Sequence, residues 1–127
     1  MVDASAKIIA FVATVDSGKS RAFYQNVLGL RCIGEDEFAA VYDSHGVELR
    51  VQKVKTFVPQ PHTALGWSVA SIDRVVAEMR KKGVIFQRYS FLQRDNEGIW
   101  AAPSGAKIAW FKDPDGNLLS FTEPLRG

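Results

Sequence analysis

An internal repeat constrains the fold of this chain more than any other feature of its sequence. Val15, Ser17, Gly29 and Leu30 match Val69, Ser71, Gly83 and Val84 at a constant separation of 54 positions. In each copy an apolar run leads to a serine placed to cap a helix, then a helical stretch, then a glycine followed by an aliphatic residue. Ile72, Val75, Val76 and Met79 form the one-sided stripe of a helix lying on a sheet, and Ala22, Phe23 and Val27 supply a noisier stripe in the first copy. Further along, "VYDSHGVELRVQ" (Val41 to Gln52) matches "FKDPDGNLLSFT" (Phe111 to Thr122) at a separation of 70. Pro114 fixes φ at the turn and Gly116 supplies a positive φ, so Asp-Pro-Asp-Gly is a hairpin signal rather than a catalytic box. Asp43, His45 and Gly46 take the same places in the first copy.

Each half therefore reads strand, helix, strand, strand, strand. The expected strands are 7–14, 31–35, 38–42 and 47–52, then 64–69, 84–91, 106–112 and 118–122, with helices at 17–28 and 71–82. The class is α+β, in one domain of two modules, 1–55 and 62–127. "KVKTFVPQPH", with Pro59 and Pro61, joins them, and "LQRDNEGIWAAPSG" is a second long loop.

Composition narrows the functional classes. With 127 residues and 46% apolar content the chain can bury a core. A net charge of +2 is too mild to imply nucleic acid, and the basic run Arg80 to Lys82 falls where a helix ends, complementing its dipole. The single cysteine, Cys32, excludes an internal disulfide and is read as a structural thiol in a reducing compartment. Ile8 to Val15 is too short to span a bilayer and lacks the marks of a signal peptide, so the expected location is cytoplasmic, with no membrane partner. "DSGKS" (Asp16 to Ser20) ends like a phosphate-binding loop, but the required preceding glycine is Ala13, which leaves helix capping.

Strand alternation nominates the residues of a site. Val47, Leu49 and Val51 pack under the helix, leaving Glu48, Arg50 and Gln52 on the opposite face. Leu118, Ser120 and Thr122 share the matching face of the last strand, and Ser68 lies opposite Trp67, which packs under the helices. Trp100, on the second long loop, is placed nearest the mouth of the site.

The segments "RAFYQNVLGL", "GWSVASIDRVVAEMRKKGV" and "AKIAWFKDPDGNLLSFTE" resemble the vicinal oxygen chelate superfamily of glyoxalase I, bleomycin resistance proteins and extradiol dioxygenases. The resemblance covers nearly the whole chain. It implies paired βαβββ modules with curved mixed sheets forming a cup, and it locates a metal site in the metal-dependent members. A histidine is implied on the first strand of each module and a glutamate or histidine on the last. Carried onto this sequence, those positions are Ala10, Arg50, Ala64 and Ser120, which cannot bind a divalent cation. No metal and no cofactor are expected.

The expectation is a small-molecule-binding protein with a cup lined by Arg50, Glu48, Gln52, Ser68, Ser120 and Trp100, whose ligand directs an anionic or accepting group at Arg50. The alternatives are a metal-dependent lyase or dioxygenase with displaced ligands, Glu48 and His62, or a metal-free enzyme in which Arg50 stabilises an oxyanion and Glu48 moves a proton. His45, a turn residue, is a worse ligand. The resemblance also implies a homodimer, which would protect sheet edges.

Overall fold

The computed structural model describes residues 1–89 and 98–125. These form two compact units, Met1–Val58 and Pro59–Gly127. In the first, β1 (Ile9–Thr14), the helix α1 (Ser17–Arg21) with its continuation, β2 (Arg31–Glu35), β3 (Ala39–Ser44) and β4 (Val47–Lys53) follow in chain order. The second runs β5 (Thr63–Ser68), α2 (Ile72–Lys81), β6 (Trp100–Ala101), β7 (Lys107–Lys112) and β8 (Leu118–Glu123). Both are βαβββ modules of an α+β fold with one topology, β1-β4-β3-β2 and β5-β8-β7-β6. In each, the first strand lies parallel to the last and the remaining pairings are antiparallel.

The helices start on capping side chains, but not both on the matched serines. Ser71 caps α2 by accepting from the Arg74 amide, whereas α1 is capped by Asp16, whose carboxylate accepts from the Lys19 amide at 3.1 Å, and not by Ser17. The caps Asp16 and Ser71 are thus 55 positions apart, while the closing glycines Gly29 and Gly83, both with positive φ, are 54 apart. One extra residue therefore lies in the first helix. It is absorbed where α1 passes into a π-helical segment, Ala22–Val27, whose wider turn takes the additional residue without breaking the helix.

The core of the first unit is Tyr24 and Tyr42, both fully buried with ring centroids 5.9 Å apart, together with Val12, Ala40, Leu49 and Val51. Burying side chains of the size of Leu49 and Val51 stabilises by about 1.5–3 kcal/mol each. Val47 departs from the expected stripe: it ends the strand beside Ser44 and stays 44% exposed. In the second unit Ile72, Val76 and Met79 of α2 are buried, and the sheet contributes Phe111 stacked on Phe121 at 4.8 Å. Phe86 meets the edge of Phe111, and Trp67 packs against Phe121 on the helix side as its alternation required.

Two expected elements differ. The strand over 84–91 is not formed among its described residues; a single bridge, Phe86 with Phe111, docks an otherwise irregular segment onto β7. The remainder of that strand, 90–91, and the start of the long loop, 92–97, lie outside the described residues. Trp100 belongs not to a loop but to β6, pairing with Ile108.

The Asp-Pro-Asp-Gly stretch is a turn with every part engaged. Asp113, 5% exposed, accepts from the Asp115 and Asn117 amides through one carboxylate oxygen and from the Asn117 side chain through the other. Gly116 sits at φ +88, and a Cβ there would also meet Pro59 at 2.9 Å. In the first unit the matching hairpin is tighter: Ser44 pairs with Val47 around His45 and Gly46, both at positive φ, as a two-residue hairpin of the I′ kind requires. Glu123 at the end of β8 accepts from the Ile72 amide at 3.0 Å, tying the last strand to the start of α2.

Candidate functional site

The open face of the first sheet is organised around Arg50. Alternation along β4 buries Leu49 and Val51 and leaves Glu48, Arg50 and Gln52 on the other face. Their parallel partners on β1 are Ile9, Phe11 and Ala13, and their antiparallel partners on β3 are Asp43, Val41 and Ala39. The Arg50 Nε donates to Glu48 Oε2 at 2.7 Å, with the two side chains 42% and 34% exposed. The terminal guanidinium nitrogens have no hydrogen-bond partner among the described residues. Beside them Ile9 and Phe11 remain 43% and 52% exposed, so a charged fork stands next to uncovered apolar surface. Sequence reading missed both: β1 is apolar at nearly every position, and such a run does not reveal which residues face outward.

This pairing corrects the position expected opposite Arg50. Ala10 pairs with Leu49 and so lies on the buried face; Phe11 stands beside Arg50. The expected place is off by one residue in β1, and between the two sheets the residues beside Arg50 and Ser120, Phe11 and Gly66, stand 55 positions apart, as the two helix caps do.

In the second sheet Trp110, Ser120 and Gly66 form one cross-strand row, and Trp100, Ile108, Thr122 and Ser68 the next. Ser68, Ser120 and Trp100 thus share a face, as alternation requires. Ala64 falls in a register shift between Thr63 and Leu65, and Gly66, not Ala64, is the residue directly beside Ser120. Approach there is close: a Cβ on Gly66 would come within 2.6 Å of Ser120 Oγ. Trp110 is the centre of an aromatic cluster that sequence did not locate, 5.8 Å from Trp100 and edge-on to Tyr89 at 5.5 Å. Burial raises the Tyr89 phenol above its usual pKa. Both Trp110 and Phe111 are apolar, so β7 offers no alternation from which to assign faces.

The residues at the positions implied for a metal do not fit one. Phe11 beside Arg50 offers no donor and a cation that repels metal; Gly66 beside Ser120 offers one hydroxyl. Of the displaced candidates, Glu48 already accepts from Arg50, and His62 is exposed just before β5. Among the described residues no group of three or more His, Cys, Asp or Glu side chains comes together. Cys32 is half-buried, and none of the described helices is long and apolar enough to cross a membrane.

Paired βαβββ modules, each with its first strand parallel to its last, define a class shared by enzymes and binding proteins. The sequence profile of the Glyoxalase/Bleomycin resistance protein/Dioxygenase superfamily matches residues 7–121, and the chain belongs to that superfamily. Solved structures are similar over almost the whole chain. A member of this superfamily from Sphaerobacter thermophilus is 20% identical, with a TM-score of 0.74 over 94% of this chain and 97% of its own. The bleomycin resistance determinant encoded on transposon Tn5 is 14% identical, with a TM-score of 0.75 over 96% and 100%. A lactoylglutathione lyase from Agrobacterium tumefaciens is 15% identical, with a TM-score of 0.73 over 94% and 93%. No curated protein sequence matches the chain.

Proposed function

We propose that this chain binds a small organic ligand without a metal, directing the ligand's anionic or strongly accepting group at Arg50. The observation that carries the reading is the Arg50 fork: Glu48 holds Nε and thereby fixes the plane of the guanidinium, while the terminal nitrogens keep their donors for an incoming carboxylate, phosphate or carbonyl. Phe11 supplies apolar surface for the rest of the ligand, and Gln52 a further polar group on the same face. Ser68, Ser120 and Trp100 are proposed as the ligand-binding counterparts on the face they share in the second sheet, where Ser68 is exposed and Ser120 buried.

The similar structures include a resistance determinant and a lyase, so the fold leaves binding and catalysis equally open. The donor set favours binding. A thermal-shift screen of small carboxylates, phosphates and keto acids, followed by calorimetry of the best ligand, tests the reading. Arg50→Ala should weaken that ligand by about 1.5–3 kcal/mol, and Arg50→Lys should recover little because the fork is lost. Unchanged affinity in Arg50→Ala would remove Arg50 from the site. Protein stripped and reconstituted with manganese, nickel, zinc or iron should retain no stoichiometric metal; one equivalent retained, and lost in His62→Ala, would overturn the metal-free reading.

We also propose that the protein is a homodimer. Ile9 and Phe11 on one face of β1 are 43% and 52% exposed, and Ile33, Phe38 and Val47 of the same unit are 50%, 70% and 44% exposed, apolar surface that a second copy of the chain would cover. Light scattering at tens of micromolar should give twice the 14.1 kDa chain mass, and a monomer mass would refute this.

A further inference from the structure

A cleft of about 240 Å³ opens at the turn end of the β7–β8 hairpin, lined by residues of the second unit alone, whereas Arg50 belongs to the first. Lys112 and Leu118, cross-strand partners, both line it. One wall is the irregular segment after α2: the Gln87 amide donates to the Trp110 carbonyl at 2.7 Å, and Tyr89 stands edge-on to Trp110, so Gln87 and Tyr89 are both held against β7. Pro59 and Pro61 also line it, with Pro59 packed against the Gly116 turn. Prolines and a pinned strand edge lose little conformational entropy when a ligand arrives, so the cleft is preorganised.

Its chemistry is one-sided. Among the described residues Lys112 is the one charged side chain in the lining, and no acidic side chain joins it. Among the described residues the Lys112 ammonium has no ion-pair partner and the Gln87 side-chain amide no hydrogen-bond partner. The carboxylate nearest in sequence, Asp113, is consumed by its own turn. An unpaired cation with a free amide beside it, bordered by Leu118, two prolines and a tyrosine ring, suits a compact monoanion with an apolar body.

We infer that this cleft is a second ligand site, which takes a small monocarboxylate of the size of a single ring through Lys112 and Gln87. At ~30 Å³ per water the volume of about 240 Å³ holds about eight waters, which matches one aromatic ring bearing a carboxylate. It lies below the roughly 300–1,000 Å³ of drug-sized sites, so the affinity is modest.

Benzoate, benzamide and sulfate are the probes, followed by amide chemical shifts in the full chain and by calorimetry. Benzoate should shift Gln87, Gly116 and Leu118, and bind about tenfold more tightly than benzamide or sulfate. Lys112→Met keeps the aliphatic stem and should cost benzoate about tenfold, or ~1.4 kcal/mol. Gln87→Glu should weaken it at least as much by placing a negative charge in the cleft. Arg50→Ala, on the other unit, should leave benzoate at this cleft unchanged, which separates this inference from the proposed function. Equal binding of benzoate and benzamide, equal binding of sulfate, shifts away from residues 116–118, or an unaffected Lys112→Met protein would each overturn it.

Discussion

Gly66→Ala is the most discriminating substitution the structure offers, because its sign should depend on one oxygen atom. Gly66 is flanked by Ser120 on β8, and a Cβ there would stand 2.6 Å from Ser120 Oγ, 3.4 Å from the Ser120 carbonyl and 3.9 Å from Ser120 Cβ. Only the first is a clash. Ser120 is 7% exposed, so its hydroxyl has little room to turn away, and overpacking of this kind costs about 1–3 kcal/mol. Against it stands the preference of a strand interior for Ala over Gly, roughly 0.5–1 kcal/mol. We therefore expect Gly66→Ala to destabilise by about 1–2 kcal/mol in the native sequence. In a Ser120→Ala background, where Oγ is gone and only ordinary contacts remain, it should be neutral or stabilising. The coupling of about 2 kcal/mol lies within the range for residues in contact. All three tryptophans, Trp67, Trp100 and Trp110, lie in the unit that holds Gly66, so urea unfolding followed by tryptophan fluorescence reports the relevant transition. At an m-value of roughly 2 kcal/mol/M the midpoint should fall by up to about 1 M with m unchanged. Additive effects of Gly66→Ala and Ser120→Ala would refute the close approach of β5 and β8 from which the argument starts.

Two further outcomes follow from polar groups in the first unit. Among the described residues the buried Tyr42 hydroxyl has no hydrogen-bond partner, so Tyr42→Phe should raise stability by about 1 kcal/mol, seen as a higher denaturation midpoint; a loss of stability would mean the hydroxyl is satisfied. Glu35 accepts from Lys53 at 2.7 Å and from Arg21 at 2.6 Å, and the Lys53 hydrogen bond foremost holds its carboxyl below the usual glutamate pKa. A depressed folded-state pKa gives stability that is present above the unfolded value, near ~4.3, and lost as pH falls through the folded one. Lys53→Met should flatten that acid limb in urea titrations between about pH 5 and 3, and an unchanged slope would show that the contact does not form in solution.

What the sequence determined by itself is what local chemistry encodes. Cap, stripe and glycine marked α2 because helix ends and helix faces are written in consecutive residues, and Pro114 with Gly116 marked the hairpin because turn dihedrals depend on the residues in the turn. The repeat established two βαβββ modules, and alternation along β4 placed Glu48, Arg50 and Gln52 on one face, since its apolar and polar residues truly alternate. Where a strand is apolar throughout, as in β1 and β7, the sequence is silent about facing, and Phe11 and Trp110 emerged only from the cross-strand register. Register is a long-range property: the parallel pairing of β1 with β4 puts Ala10 beside Leu49 and Phe11 beside Arg50, and no local pattern in β1 records it. The cleft at Lys112 was likewise decided by tertiary structure, because its walls, Pro59 and Tyr89, are thirty residues apart and meet only when the segment after α2 docks on β7.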